Sequence, residues 1–156
     1  MTLSDIIRPE NIIPDLKAKN RWQAIDELIQ RLVETGTIRP EDREPITAVV
    51  YKRERSMSTG IGFGVGIPHA STNLISEVIG AFGRSKEGID FESLDGQPVK
   101  LVMLFLVPQG KFQEHLHTLA AIAKLLHRKE FRQALEEAPD AESIYRVIQA
   151  SSEAMV

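Results

Sequence analysis

The sequence has no cysteine among its 156 residues. A disulfide framework and any thiolate metal site are therefore excluded, and the composition fits a reducing compartment. Long hydrophobic runs are also missing. The longest, Leu101 to Val107, falls far short of the ~20 apolar residues that a bilayer-spanning helix needs. The opening stretch, Met1 to Ile7, lacks the charged start and apolar middle of a signal peptide. A cytoplasmic chain with no targeting segment and no membrane insertion is expected. Neither sign of charge dominates: the formal net charge is −3, so nothing global points to nucleic acid or to an anionic membrane surface. There is no internal repeat and no low-complexity linker. What is present is an ordinary globular balance, 42% hydrophobic and 26% charged, which suits one domain with a sizeable core. The domain is expected over residues 1–150, with 151–156 as a C-terminal tail.

Periodicity divides the chain into strands and helices. Asn11 to Leu16 reads as a short edge strand, since Pro14 is poorly tolerated in a central one. Asn20 to Glu34 reads as a helix with Asn20 as N-cap and Gly36 past its end. A second helix is expected from Pro40 to Arg55, with cations Lys52, Arg53 and Arg55 in its last turn. Val78 to Phe82 is a short strand, and Asp95-Gly96 marks a turn. Val99 to Val107 is a nearly continuous apolar run, as in a strand buried on both faces. Helical spacing returns over Gln113–His127 and Lys129–Glu137, and again in a last helix capped by Asp140. Interleaved strands and helices predict a layered, mixed α/β domain.

One stretch departs from ordinary patterning: Gly60-Ile-Gly-Phe-Gly-Val-Gly-Ile-Pro-His69. Its period of two reads as a strand over Ser58–Ile67. Gly60, Gly62, Gly64 and Gly66 then form one bare face, while Ile61, Phe63, Val65 and Ile67 pack into the core. The bare face admits either a tightly packed neighbour or an approaching partner. A nucleotide loop is the poorer reading, because the spacing is not G-x-G-x-x-G and no helix start follows. Pro68 ends the strand and leaves His69 at its tip. Imidazole suits nucleophilic or proton-transfer work near neutral pH.

Two further features accompany it. Glu114-His115-Leu-His117 opens a helix, where unpaired N–H groups favour anions and neutral imidazole. His115 and His117 lie about 200° apart around a helix and do not share a target. A zinc site built from His69, His115 and a further ligand is the weaker alternative; no metal and no cofactor are expected. Arg53 is either surface charge or a clamp for phosphate oxygens, which guanidinium geometry suits. His127 reads as a surface residue.

The run from Arg53 through Thr59-Gly60-Ile-Gly62 to Pro68-His69, together with "EHLHTLAAIAKLL" from Glu114, resembles the two motifs of the fructose/mannitol-type enzyme IIA domains of the bacterial phosphotransferase system. The nitrogen-regulatory subtype is similar in its "STGIG", "IPH" and "HLHTL" wording. The likeness extends from "LSDII" to the helix near Val147, and Ala70 departs from the glycine common in relatives. It implies a mixed five-stranded sheet with helices on both faces. It also implies that His69 accepts a phosphoryl group from a small histidine phosphocarrier protein (HPr- or NPr-like), that His115 supports that group, and that Arg53 clamps it. Under this reading the glycine face lets the docking partner approach. A nitrogen-regulatory signalling role leads, since no IIB or membrane domain is attached. A sugar-specific relay to a IIB component and a phosphotransfer-inactive binding module are the alternatives, and a metal hydrolase is a distant third.

Overall fold

The computed structural model describes residues 2–153. A short helix α1 (Leu3–Ile6) leads into β1 (Ile7–Ile13), followed by α2 (Arg21–Glu34) and, after a turn of 3-10 helix, α3 (Arg43–Ser56). Three short strands come next, β2 (Gly60–Gly62), β3 (Val65–Gly66) and β4 (His69–Thr72), then two long ones, β5 (Ile79–Ile89) and β6 (Val99–Pro108). Helices α4 (Phe112–Leu126), α5 (Lys129–Glu137) and α6 (Ala141–Glu153) complete the chain.

The mixed sheet has the order β1-β5-β6-β3-β2, with β4 also paired to β6 as a sixth strand. β1 runs parallel to β5, β5 antiparallel to β6, and β3 and β4 both parallel to β6. β6 is the axis of the fold, and its composition explains why. Leu101, Met103, Phe105 and Val107 face one core, which contains Ile122, Phe131 and Ile144 from α4, α5 and α6. Val102, Leu104 and Leu106 face the other, which contains Ile25 and Leu28 of α2 and Ile46 of α3. Side chains alternate across a strand, so an apolar run without interruption has two faces to cover. Each fully buried side chain of this size contributes about 1.5–3 kcal/mol.

Local signals set the helix ends. The side chain of Asn20 accepts the Gln23 N–H at 2.9 Å, and that of Asp140 accepts the Ser143 N–H at 2.8 Å. The end of α5 is tied to β5 by Arg84, which is buried and donates to the carbonyls of Leu135, Glu136 and Ala138. Those carbonyls carry the negative end of the helix, so the guanidinium needs no carboxylate there.

The edge strand spans Ile7–Ile13 and not Asn11–Leu16. It lies at the sheet's margin, where Pro9 is tolerated. The strand expected at Val78–Phe82 runs on to Ile89.

The glycine run is corrected more deeply. It is not one strand but a hairpin, with Gly60 paired to Gly66 and Gly62 to Val65. Phe63 and Gly64 form its two-residue turn, with φ of 58° and 77°. Positive φ at both positions is the geometry that matches strand twist in tight hairpins. Phe63 is therefore not a core residue but 62% exposed. The bare face is covered from inside the protein. A Cβ on Gly66 would lie 2.8 Å from the Phe91 ring, and one on Gly60 would lie 2.2 Å from the Ser93 Oγ. Gly60 and Gly66 are kept bare by close packing, whereas Gly62 and Gly64 take the positive φ of the hairpin, so the four do not form the single docking face expected.

Candidate active site

His69 does not hang from the end of the glycine strand. It begins a new one, β4, opposite Phe105 of β6. The Pro68 carbonyl accepts the Phe105 N–H at 3.0 Å, so the backbone on both sides of the proline is fixed to the sheet. His69 and Ser71 share the outward face of β4, while Ala70 and Thr72 are buried.

The imidazole is oriented by one contact. His69 Nδ1 lies 2.8 Å from the Ile67 carbonyl oxygen. A carbonyl only accepts, so Nδ1 carries the proton and Nε2 keeps its lone pair. The ring's pKa is held below the ordinary histidine value, chiefly by burial; Arg53 adds to the effect, while the Ile67 carbonyl and Glu54 oppose it. The neutral form is thereby favoured near neutral pH.

Two cavities meet at His69. The first, about 310 Å³, is lined on one side by Arg53, Met57, Thr59 and Ile67 and on the other by Phe112, Leu119, Ile122 and Ala123 of α4. The second, about 510 Å³, carries Lys52, Arg53, Ser56, Ser71 and Phe112 around the same imidazole. Arg53, His69 and Phe112 line both. The structure thus brings Arg53 to His69, as the sequence reading expects. Arg53 also donates to the Met57 carbonyl at 2.9 Å, which ties it to the end of α3.

His115 is half-buried on α4 and lines neither cavity. It falls three residues after Phe112, four before Leu119 and seven before Ile122, so it shares their side of the helix. His117 is exposed. The first turn of α4 begins at Phe112, which lines both cavities, and Lys111 before it makes no side-chain cap. Among the described residues, no group of three or more His, Asp or Glu is placed to hold a metal ion.

Several site residues are not singled out by the sequence reading. Lys52 precedes Arg53, and Ser71 lies two residues beyond His69, a period-two signal that was available once β4 was known. Glu54 is fully buried and binds Thr59 through both oxygens. It stands inside the basic run Lys52-Arg-Glu-Arg55, where no local pattern marks a carboxylate as buried. His127 is exposed as expected, and its ring meets the edge of Phe63 at 5.7 Å.

The chain's relatives share this architecture. Residues 5–151 match the family described as "Phosphoenolpyruvate-dependent sugar phosphotransferase system, EIIA 2". A nitrogen regulatory protein of Bradyrhizobium diazoefficiens is 39% identical over 149 residues, 95% of each chain. The fructose-specific EIIABC component of Bacillus subtilis is 36% identical over 95% of this chain, which spans 23% of that longer protein. The crystal structure of nitrogen regulatory protein IIA-Ntr from Neisseria meningitidis superimposes with a TM-score of 0.84 at 28% identity, covering 94% of this chain and 98% of that one.

Proposed function

The chain belongs to the EIIA 2 family of the phosphoenolpyruvate-dependent sugar phosphotransferase system, and on that premise we propose that His69 accepts a phosphoryl group from a small histidine phosphocarrier protein. The observation that carries this reading is the hydrogen bond from His69 Nδ1 to the Ile67 carbonyl, which leaves Nε2 free to act as nucleophile on a ring that lines the same cavities as Arg53.

The transfer follows from that geometry. The Nε2 lone pair forms a bond to phosphorus as the donor's N–P bond breaks, and that electron pair returns to the donor's leaving nitrogen. The Nδ1 proton stays on the ring, against the Ile67 carbonyl. Phosphoryl transfer of this kind is mainly positioning and stabilisation of charge on the equatorial oxygens. Arg53, Lys52 and Ser71, which line the cavity at His69, supply donors for those oxygens; the family resemblance adds His115, on the side of α4 that carries Phe112. Exposed Met57, Leu94 and Phe112 surround the site and offer an apolar seat for the phosphocarrier.

The role is that of a nitrogen-regulatory signalling protein whose phosphorylation state is read by partner proteins in the cytoplasm. The full-length similarity to the Bradyrhizobium nitrogen regulatory protein supports it. A sugar relay is the second reading, favoured by the fructose-specific relatives. Under that reading the phosphoryl group passes on to a IIB component, as in the solved complex of the mannitol enzyme IIA with phosphorylated IIB.

The test is incubation with phosphoenolpyruvate, enzyme I and a cognate phosphocarrier. An acid-labile phosphoryl group is expected on the wild type and none on His69→Ala. Equal labelling of the variant overturns the acceptor assignment. Adding candidate IIB proteins then separates relay from regulator by onward transfer.

A further inference from the structure

A buried carboxylate lies behind the nucleophile, in a chain of contacts that the transfer step alone does not use. The Glu54 side chain is 0% exposed. Its Oε1 accepts the Thr59 hydroxyl, and its Oε2 accepts the Thr59 N–H at 2.9 Å. Arg21, reaching across from α2, donates to Oε2 at 3.3 Å and supplies the counter-charge. Arg21 is itself held by Glu92 at 2.7 Å and by the face of Trp22 at 4.5 Å.

The chain continues through the backbone. The Thr59 carbonyl accepts the Ile67 N–H at 2.9 Å. The Ile67 carbonyl then accepts His69 Nδ1–H at 2.8 Å. Arg21, Glu54, Thr59, Ile67 and His69 are therefore linked by consecutive hydrogen bonds. A buried carboxylate persists only when its oxygens are paired, and here three donors meet two oxygens. The Thr59 link ties Ile67 to α3 through Glu54, while the Phe105 N–H bond to the Pro68 carbonyl ties the next residue to the sheet. The hairpin before it is short, and its Gly60 N–H rests on the Ser58 hydroxyl at 3.1 Å.

We propose that Glu54 is a positioning residue: acting through Thr59 and the Ile67 carbonyl, it holds His69 in the Nδ1–H tautomer and so presents Nε2 for transfer. This rests on the reading of His69 as phosphoryl acceptor, but its first readout does not. A nucleophile misplaced by about 1 Å loses on the order of a hundredfold in rate, so a modest loosening of this chain has a measurable cost. The carboxylate's charge is also felt at the ring, opposing that of Arg53.

The experiment uses the full chain labelled with 15N-histidine. Long-range proton–nitrogen spectra of His69 report which ring nitrogen carries the proton. The wild type is expected as Nδ1–H. Glu54→Gln keeps the side-chain shape but removes the charge that holds Arg21. Thr59→Val removes one hydroxyl at constant volume. Both are expected to raise the Nε2–H fraction and to slow phosphoryl uptake about tenfold, whereas Thr59→Ser keeps the wild-type tautomer. Loss of folding stability alone, with the tautomer and the uptake rate of folded protein unchanged in both variants, overturns the proposal. If Glu54→Gln does not fold, Thr59→Val decides the matter by the same spectra. A wild type that takes up no phosphoryl group overturns the acceptor reading instead, and the tautomer populations still decide the role of Glu54.

Discussion

The two walls of the cavity at His69 are built on opposite principles. The wall made by α3, the hairpin and β4 is closed by hydrogen bonds at every step, from Arg21 through Glu54 and Thr59 to the imidazole. The wall made by α4 is held from one end only. Its buried residues, Ile122, Leu125 and Leu126, all lie in the C-terminal half, while Phe112 and Leu116 near its start are 38% and 47% exposed. Fixing the nucleophile and leaving the cover loosely packed separates two tasks. Orientation must be established before a partner arrives, whereas the surface that meets the partner must be free to adapt to it.

The contrast is broken most severely at Gly66. A side chain there has no room, because a Cβ would sit 2.8 Å from the Phe91 ring. Gly66→Val is expected to lower the unfolding free energy by about 2 kcal/mol, in the range for overpacked cores. Denaturant titration measures it. A change within about 0.5 kcal/mol, the usual size for surface substitutions, would mean that this wall is as loose as the other.

The sequence and the structure agree and disagree along the same line. The two-sided core of β6 and the caps at Asn20 and Asp140 were legible, because each rests on local chemistry or on an uninterrupted pattern; that Arg53 lines the same cavities as His69 was expected only from the family resemblance, since spacing alone left it between surface charge and clamp. The hairpin was not. Alternating glycines satisfy a period of two whether the chain runs straight or folds back; the positive φ at Gly62, Phe63 and Gly64 and the pairing of Gly60 with Gly66 separate the cases. Glu54 was illegible for a related reason. A carboxylate among basic residues reads as surface charge, and nothing local to it reveals that Arg21, 33 positions away, closes over it.

The α4 wall gives a smaller effect of a different kind. Phe112→Ala removes an apolar group already partly in solvent, so stability is expected to shift by less than about 1 kcal/mol. Phosphoryl uptake from the carrier is expected to fall several-fold through a raised apparent KM, with little change at saturating carrier. Uptake measured over a range of carrier concentrations checks it. A large stability loss together with unaltered KM would show that α4 is a structural wall like its counterpart.

The smallest effect is electrostatic and belongs to the fixed wall. Burial lowers the pKa of His69 below the 6.5 of an unhindered histidine, with Arg53 adding and the Ile67 carbonyl and Glu54 opposing. The unfolded chain therefore binds this proton more readily than the folded one. The neutral ring's contribution to stability is complete above the unfolded pKa and is lost as pH falls through the folded value. Urea midpoints at about pH 7.5 and about pH 5.5 should fall for the wild type by more than for His69→Asn, whose amide can still donate to the Ile67 carbonyl but does not titrate. Because Arg53 and Glu54 act on the ring with opposite sign, replacing Arg53 by Gln should shrink the difference between the two proteins. If wild type and His69→Asn lose stability equally on acidification, the imidazole is not desolvated in the folded state, and the fixed wall holds its nucleophile by geometry alone.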